Sequence, residues 1–171
     1  EILVRACRAK KAVEVGTLAG YSGTWIAQAL PKDGRLYTFE YDPRHAKVAR
    51  KTFKKAGVSD KVQIFVGSAL ENLKKIEPQG PFDFMFIDAD KASYAAYLEW
   101  GAKNLRGGGV FMADNTFGFG FIANPKKIND GWRAQNVKAL KQHLFQTQVF
   151  MKKHLPSQVQ IQIDVDCLSM M

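Results

Sequence analysis

The sequence predicts an α/β fold: a doubly wound, mostly parallel sheet with helices on both faces and an antiparallel strand at its C-terminal edge. Three observations support this prediction. Short β-rich runs alternate with helical periods, one run is apolar except for a single acid, and a long alternating run lies near the end. Repeated β–α units favour parallel strands joined by helices, and a nearly continuous apolar strand is typical of one buried on both faces.

Five strand-like runs occupy the first two thirds of the chain, each short and rich in aliphatic or aromatic residues. They cover residues 12–15, 36–39, 62–66, 82–87 and 110–112. The nearly continuous apolar run is 82–87, which is apolar except for Asp83, and three glycines at 107–109 introduce the fifth strand. Helices are predicted for residues 21–30, 43–57, 94–105 and 132–145.

The helix predicted from Pro43 illustrates the pattern. Ala46, Ala49 and Phe53 recur at near-helical spacing, with lysines and arginines on the opposite side. Proline suits the first turn of a helix, and Gly57 suits its end.

The last third of the chain does not continue the alternation of short strands and helices. Apolar residues at 159, 161, 163, 165 and 167 alternate with polar ones, as in a strand with one face in water. We place this strand at or near a sheet edge and expect it to run antiparallel.

Length and composition limit the classes of protein. A chain of 171 residues fits a single domain spanning residues 1–171, and 46% hydrophobic with 24% charged residues is globular. No apolar run approaches the ~18 residues that span a bilayer, so no membrane partner is expected. Two cysteines cannot build a disulfide framework, and with no signal-peptide anatomy they indicate a cytoplasmic protein. The chain opens at Glu1 in helix-like sequence, so we expect an N-terminal segment to be missing.

The chain carries a net charge of +9, from 25 basic and 16 acidic residues. The excess lies in residues 44–61 and 126–153, each with seven lysines and arginines against one acid. These stretches are either solvated helix faces or a surface for RNA or an anionic substrate.

Polar residues follow every predicted parallel strand. In open parallel sheets, ligands bind beyond the carboxyl ends of the strands. The segments at these ends are 14–22, Glu40, 67–69, 88–91 and 114–115. Such a polar edge is the main reason to predict an enzyme.

The first segment is glycine-rich, but it matches neither G-x-G-x-x-G nor a phosphate loop. The helix N-terminus that follows favours an anion, and Glu40 stands where an acid commonly holds ribose hydroxyls. Together these features fit a nucleoside with a small anion, such as S-adenosylmethionine. The alternative is that Gly16 and Gly20 only make a tight turn. Glu14 lies in an otherwise apolar strand and needs partners, one candidate being a ligand's amino group.

Asp88, Asp114 and Asn115 form a second cluster if the fourth and fifth strands are neighbours. Two carboxylates and an amide oxygen would then converge, and all-oxygen sites select Mg²⁺, Ca²⁺ or Mn²⁺ over zinc. The alternative is that the two acids cap the following segments, as we expect for Asp90. Lys91 lies within reach of the same pocket as a general base, unless it is an ordinary surface lysine.

Several other chemistries have no support in the sequence. There is no G-x-S-x-G, no H-E-x-x-H and no paired Cys-x-x-Cys. None of His45, His143 and His154 lies near these motifs, and we assign them no role. Serine–histidine hydrolysis and zinc hydrolysis therefore have no support in the sequence.

Three motifs together resemble those of the cation-dependent O-methyltransferases of the caffeoyl-CoA and catechol O-methyltransferase type. They are Glu-Val-Gly-Thr-Leu-Ala-Gly-Tyr-Ser at 14–22, Phe-Ile-Asp-Ala-Asp-Lys at 86–91 and Ala-Asp-Asn-Thr at 113–116. The resemblance covers about residues 12–116. It implies a Rossmann-like class I methyltransferase sheet and S-adenosylmethionine as methyl donor.

The resemblance also implies roles for residues. Those implied to contact the donor are Glu14, Gly16, Thr17 and Ser22 at its methionine end, Glu40 at the ribose, Ala69 by the adenine, and Asp88. The cation, usually Mg²⁺, would be bound by Asp88, Asp114 and Asn115. Lys91 would match the catalytic lysine, which takes a proton from one of two vicinal hydroxyls chelated to the metal before that oxygen attacks the methyl group.

The chain departs from the family at three places. The family's N-terminal helical segment is absent, the loop 117–121 lacks the usual tryptophan, and the tail 158–171 lacks an expected glycine-containing hairpin. The acceptor is therefore open. A catechol-like small molecule is the first interpretation, and a tRNA hydroxyuridine-type base and a non-enzymatic binding module are the others. The family also implies a homodimer.

Overall fold

The computed structural model describes residues 1–114 and 160–163. Within these residues, the centre is a sheet of six strands in the order β3-β2-β1-β4-β5-β6, and all the described pairings are parallel. The strands are β1 (Lys11–Val15), β2 (Arg35–Glu40), β3 (Val62–Val66), β4 (Phe82–Ile87), β5 (Leu105–Ala113) and β6 (Gln160–Ile163). The helices are α1 (Ile2–Ala6), α2 (Tyr21–Ala29), α3 (Pro43–Lys55), α4 (Ala69–Ile76) and α5 (Tyr94–Asn104).

The strand order reverses beside β1. The chain moves outward from β1 through β2 to β3, and then crosses back to place β4 on the other side of β1. Such a switch point opens a crevice at the carboxyl ends of the two central strands.

The strands end level with one another at this edge. Val15 is paired with Phe39 and Ile87, and Ile87 is paired with Ala113. The residue that follows each strand therefore lies at the same edge, so the register positions the candidate site.

Two apolar layers hold the sheet. On one face, Val13 and Val15 belong to a buried cluster with Leu73 of α4 and Leu98 of α5. On the other face, Ala12 packs in a cluster with residues of α1, α2 and α3, including Val4, Ile26 and Phe53. Because side chains alternate along a strand, Glu14 points to the same face as Ala12, beneath α2.

The structure confirms the predicted α/β class. It also confirms the five predicted strands and three of the predicted helices, with changes at some of their boundaries. Pro43 occupies the first turn of α3 after the Asp42 cap. The glycines 107–109 lie inside β5 rather than before it. The short helix α4 follows a Ser68 cap and has no counterpart in the predicted set.

The prediction of an antiparallel final strand is wrong for the part that the structure describes. β6 lies at the edge of the sheet as expected, but it pairs with β5 in parallel. Alternation indicates which faces a strand exposes and says nothing about its direction. The 114–159 connection is much longer than the dozen residues that a parallel crossover needs. The helix predicted at 132–145, the loop 117–121 and most of the tail lie outside the described residues.

No helix in the described ranges 1–114 and 160–163 is long and apolar enough to cross a bilayer.

Candidate functional site

A cleft of about 770 Å³ opens at the carboxyl edge of the sheet. It lies over the switch point between β1 and β4, where open α/β sheets bind ligands. The predicted site residues that line it are Gly16, Thr17, Ser22, Glu40, Ala69 and Asp88. The structure therefore brings together six residues that the sequence places on four different connections.

The glycine turn after β1 requires glycine at its first position. Gly16 has φ +102°, and a Cβ there would stand 2.0 Å from the backbone carbonyl oxygen of Asp88. The Gly16 N–H donates to the carbonyl of Phe39 at 3.0 Å. The turn is thus held tightly between the ends of β2 and β4.

Glu40 is a buried acid on the wall of the cleft. Its Oε2 accepts the N–H of Leu18 at 2.7 Å, and its Oε1 accepts the N–H of Asp42 at 3.0 Å. His45 Nδ1 lies 3.4 Å from Oε1, a contact that sequence analysis did not foresee. Each carboxylate oxygen can accept a further hydrogen bond, so Glu40 is a rigid acceptor facing the cleft.

Ala69 reaches the cleft at the start of α4. The preceding Gly67 has φ +106° and donates its N–H to the carbonyl of Glu40 at 2.9 Å. Ser68 caps the helix by accepting the N–H of Glu71 at 3.4 Å. These contacts fix the segment beside the end of β2.

Glu14 is fully buried behind the cleft and is not among its lining residues. Its Oε1 accepts the hydroxyl of Ser22, and its Oε2 accepts the hydroxyl of Thr38, both at 2.6 Å. Burial raises the pKa of Glu14 to about 7, although the two hydrogen bonds work against this rise. The predicted contact of Glu14 with a ligand stays a prediction.

The raised pKa makes stability depend on pH. A pKa near 7 in the folded state, against a reference of 4.5, gives stability that is complete below pH 4.5 and is lost as pH rises through 7. We expect the free energy of unfolding of the wild type, relative to Glu14→Gln, to fall by about 2 to 3 kcal/mol between pH 5 and pH 8. Urea unfolding of both proteins at the two pH values measures this. A difference that does not change with pH would contradict it.

The second part of the site lies where β4 and β5 end. The Asp114 N–H donates to the carbonyl of Ile87 at 2.9 Å, so Asp88 and Asp114 follow adjacent strand ends. The Lys91 ammonium lies between them, 3.3 Å from Asp88 Oδ1 and 3.2 Å from the carbonyl oxygen of Asp114. Lys91 therefore lies beside the carboxylate of Asp88 and the backbone of Asp114, and its predicted role at this site stays a prediction.

Tyr94 is a contact of Lys91 that sequence analysis missed. Lys91 donates to the Tyr94 hydroxyl, which in turn donates to the carbonyl of Asp114 at 3.0 Å. Burial, reinforced by the negative charge of Asp88, raises the pKa of Tyr94, so its hydroxyl stays protonated. A tyrosine three residues after the lysine, on the first turn of a predicted helix, was the signal available.

Asp90 caps the turn that carries Lys91, as predicted. Its Oδ2 accepts the N–H of Ser93 at 3.1 Å, and its Oδ1 accepts the Tyr97 hydroxyl at 3.0 Å. Asp90 therefore orients the segment between β4 and α5.

The oxygen atoms at this edge fit a hard divalent cation by their chemistry. Asp88 and Asp114 supply two carboxylates on neighbouring strands. Asn115, the third predicted ligand, lies outside the described residues, and the described part of the chain contains no group of three acidic, histidine or cysteine side chains that could hold a metal.

The parallel sheet, the glycine turn beneath the cleft and the acid at the end of β2 define a Rossmann-like fold of the class I methyltransferase type. The model of one family, described as O-methyltransferase, matches residues 1–161. This chain belongs to that O-methyltransferase family.

Two curated relatives carry the name catechol O-methyltransferase. The protein from Niastella koreensis is 50% identical over 117 residues, which is 67% of this chain and 53% of that protein. The protein from Mycobacterium tuberculosis is 43% identical over 123 residues, 71% of this chain and 56% of that protein. The chain thus spans about half the length of the curated relatives it matches.

Solved structures of similar fold include two ligand complexes. The O-methyltransferase TomG from Streptomyces achromogenes, in complex with SAM, is 34% identical to this chain and superposes with a TM-score of 0.75. The match covers 84% of this chain and 63% of the TomG chain. The O-methyltransferase from Bacillus cereus, in complex with SAH, is 37% identical to this chain and superposes with a TM-score of 0.74. The match covers 84% of this chain and 64% of the Bacillus cereus chain.

Proposed function

We propose that this protein transfers a methyl group from S-adenosylmethionine to a hydroxyl group of a catechol-like small molecule. The observation that carries the proposal is the position of the Asp88–Lys91–Asp114 group at the same sheet edge as the cleft. The names and bound ligands of the relatives support the same chemistry.

The cleft suits the methyl donor. Glu40, whose carboxylate is held by two backbone N–H groups, would accept hydrogen bonds from ribose hydroxyls. Ala69 would lie against the adenine, which needs a small apolar contact. Gly16, Thr17 and Ser22, on the turn and first helical residues after β1, would contact the amino-acid end.

Asp88 and Asp114, with Asn115, would hold a divalent cation, for which Mg²⁺ is the proposed ion. A bound cation would supply positive charge at the oxygen of the acceptor and an orienting template. The donor set fits this because the two carboxylates follow adjacent strands and carboxylate oxygens suit a hard cation.

Lys91 is the proposed general base. Its amine, in the neutral form, would take the proton of the acceptor hydroxyl while that oxygen forms its bond to the methyl carbon. The bond from that carbon to sulfur breaks, leaving the methyl ether, S-adenosylhomocysteine and protonated Lys91. Tyr94 and the Asp114 carbonyl would hold the amine in position.

We expect Lys91→Ala to lower turnover by about 10²- to 10⁴-fold, the usual effect of a general base, while donor affinity changes less than about twofold. The matched control is Lys103→Ala, which removes an exposed lysine paired with Glu99 on α5. Transfer of isotopically labelled methyl gives turnover, and calorimetry gives affinity. Turnover of Lys91→Ala equal to that of the control would reject Lys91 as the base.

RNA is the less favoured acceptor, because its independent support is the basic charge of the chain and the named relatives are catechol O-methyltransferases. A labelled-methyl assay on catechols, other vicinal diols and bulk tRNA, with Mg²⁺ or with chelator, tests the proposal. We expect Mg²⁺-dependent transfer to a catechol, and transfer to tRNA alone would overturn the choice of acceptor. A homodimer is proposed on the family resemblance, and a cytoplasmic location is proposed on the low cysteine content.

A further inference from the structure

A continuous chain of buried hydrogen bonds runs beneath the cleft, and its central member is Thr38. Thr38 lies on β2 directly opposite Glu14 of β1 and is fully buried. Its hydroxyl donates to Glu14 Oε2 at 2.6 Å and lies 2.5 Å from Thr17 Oγ1. Glu14 Oε1 accepts from Ser22 at 2.6 Å, so the chain joins four side chains.

The direction of these bonds follows from the number of protons. A threonine hydroxyl has one proton and can also accept. When Glu14 is ionised, the Thr38 hydroxyl donates its hydrogen bond to the carboxylate, and the hydroxyl of Thr17 therefore donates to Thr38. Each group therefore fixes the orientation of the next, and in a dry interior such a network is strong only when every member is present.

The two ends of the chain reach the cleft, whereas its centre does not. Thr17 in the glycine turn and Ser22 in the first turn of α2 both line the cleft. Thr38 and Glu14 are not among the lining residues. Thr38 can therefore influence a ligand only through Thr17 and, by way of Glu14, through Ser22.

The surrounding structure leaves Glu14 little freedom to find other partners. A Cβ added to Gly23 of α2 would stand 2.7 Å from Glu14 Oε2 and 2.9 Å from the Phe53 ring. The charged groups that act on Glu14, Asp88 after β4 and Glu40 at the end of β2, are both acids and repel it. The Ser22 and Thr38 hydroxyls are thus its compensating contacts.

We propose that Thr38 is a positioning residue of the methyl-donor site, holding Thr17 and the Glu14–Ser22 pair in the geometry that binds the amino-acid end of the donor. This inference rests on the proposed function, because it assigns that cleft to the donor.

The test compares Thr38→Val, which keeps the shape and removes the hydroxyl, with Thr38→Ser, which keeps the hydroxyl. We expect Thr38→Val to weaken binding of S-adenosylhomocysteine about tenfold, as for loss of one buried hydrogen bond, and to raise the KM for the donor while kcat changes less than about twofold. Thr38→Ser should bind within about twofold of the wild type. Thr38→Ala serves as the hydroxyl deletion if the valine variant does not fold.

A double-mutant cycle with Ser22→Ala separates positioning from general stability. If Thr38 acts through Glu14 and Ser22, the loss of affinity in the double variant is smaller than the product of the single losses. Unchanged affinity in Thr38→Val would overturn the inference alone, and independent losses would overturn its path through Glu14 and Ser22. Failure of the wild type to bind S-adenosylhomocysteine would overturn the proposed function, and this inference with it.

Discussion

Asp114→Ala is expected to reduce Mg²⁺-stimulated methyl transfer by at least about a hundredfold, because the metal's charge and template would be lost. Asp88 and Asp114 follow neighbouring strands, so removing one leaves half of the described carboxylates to hold the ion. Binding of S-adenosylhomocysteine should change less than about twofold, since Asp114 is not among the residues that line the cleft. The labelled-methyl assay and calorimetry measure the two effects.

The matched control is Asp33→Ala, which removes an exposed acid paired with Lys10 in the connection that precedes β2. It should leave both quantities unchanged. Undiminished activity of Asp114→Ala, or full activity of the wild type in the presence of chelator, would contradict the cation proposal.

Among the proposed variants, Gly16→Ala is expected to cause the largest loss in the free energy of unfolding, and it should also abolish donor binding. The added Cβ would stand 2.0 Å from a backbone oxygen of Asp88, and φ at this position is +102°. Because backbone rather than a flexible side chain is in the way, β1 and β4 must move apart at the cleft. We expect a loss of about 2 to 4 kcal/mol in the free energy of unfolding and no detectable binding of S-adenosylhomocysteine.

Gly57→Ala is the matched control for backbone strain. Gly57 also has positive φ, +68°, but a Cβ there would meet nothing within 4 Å. It should lose about 1 kcal/mol and bind the ligand normally. Urea unfolding and calorimetry compare the two variants, and equal losses would show that crowding against Asp88 has no effect.

The sheet could be predicted from the sequence because its strands are short, apolar and separated by helical periods. The edge residues Glu40, Asp88 and Asp114 were predictable for the same reason, since each directly follows or closes a strand. The direction of β6 was not, because alternation along residues 159–167 indicates exposed faces but not orientation. Pairing direction depends on where the chain crosses the sheet.

The hydrogen bonds beneath the cleft also could not be predicted from the sequence. Glu14 was recognised as a buried acid in need of partners, but Thr38 is 24 residues away and meets it only through the β1–β2 register. Tyr94 was missed because its hydroxyl turns back to Lys91 and to the carbonyl of Asp114. The Glu14–Thr38 contact depends on the register of two strands, and the contact of Tyr94 with Asp114 depends on where β5 ends beside α5, neither of which a local pattern contains.

The most direct test of the account is the anomalous diffraction of Mn²⁺ in crystals of the full-length protein grown with S-adenosylhomocysteine. We expect one strong peak bonded to carboxylate oxygens of Asp88 and Asp114, with the ligand in the cleft beside it. Absence of a peak there, with the ammonium of Lys91 still between the two residues, would contradict it.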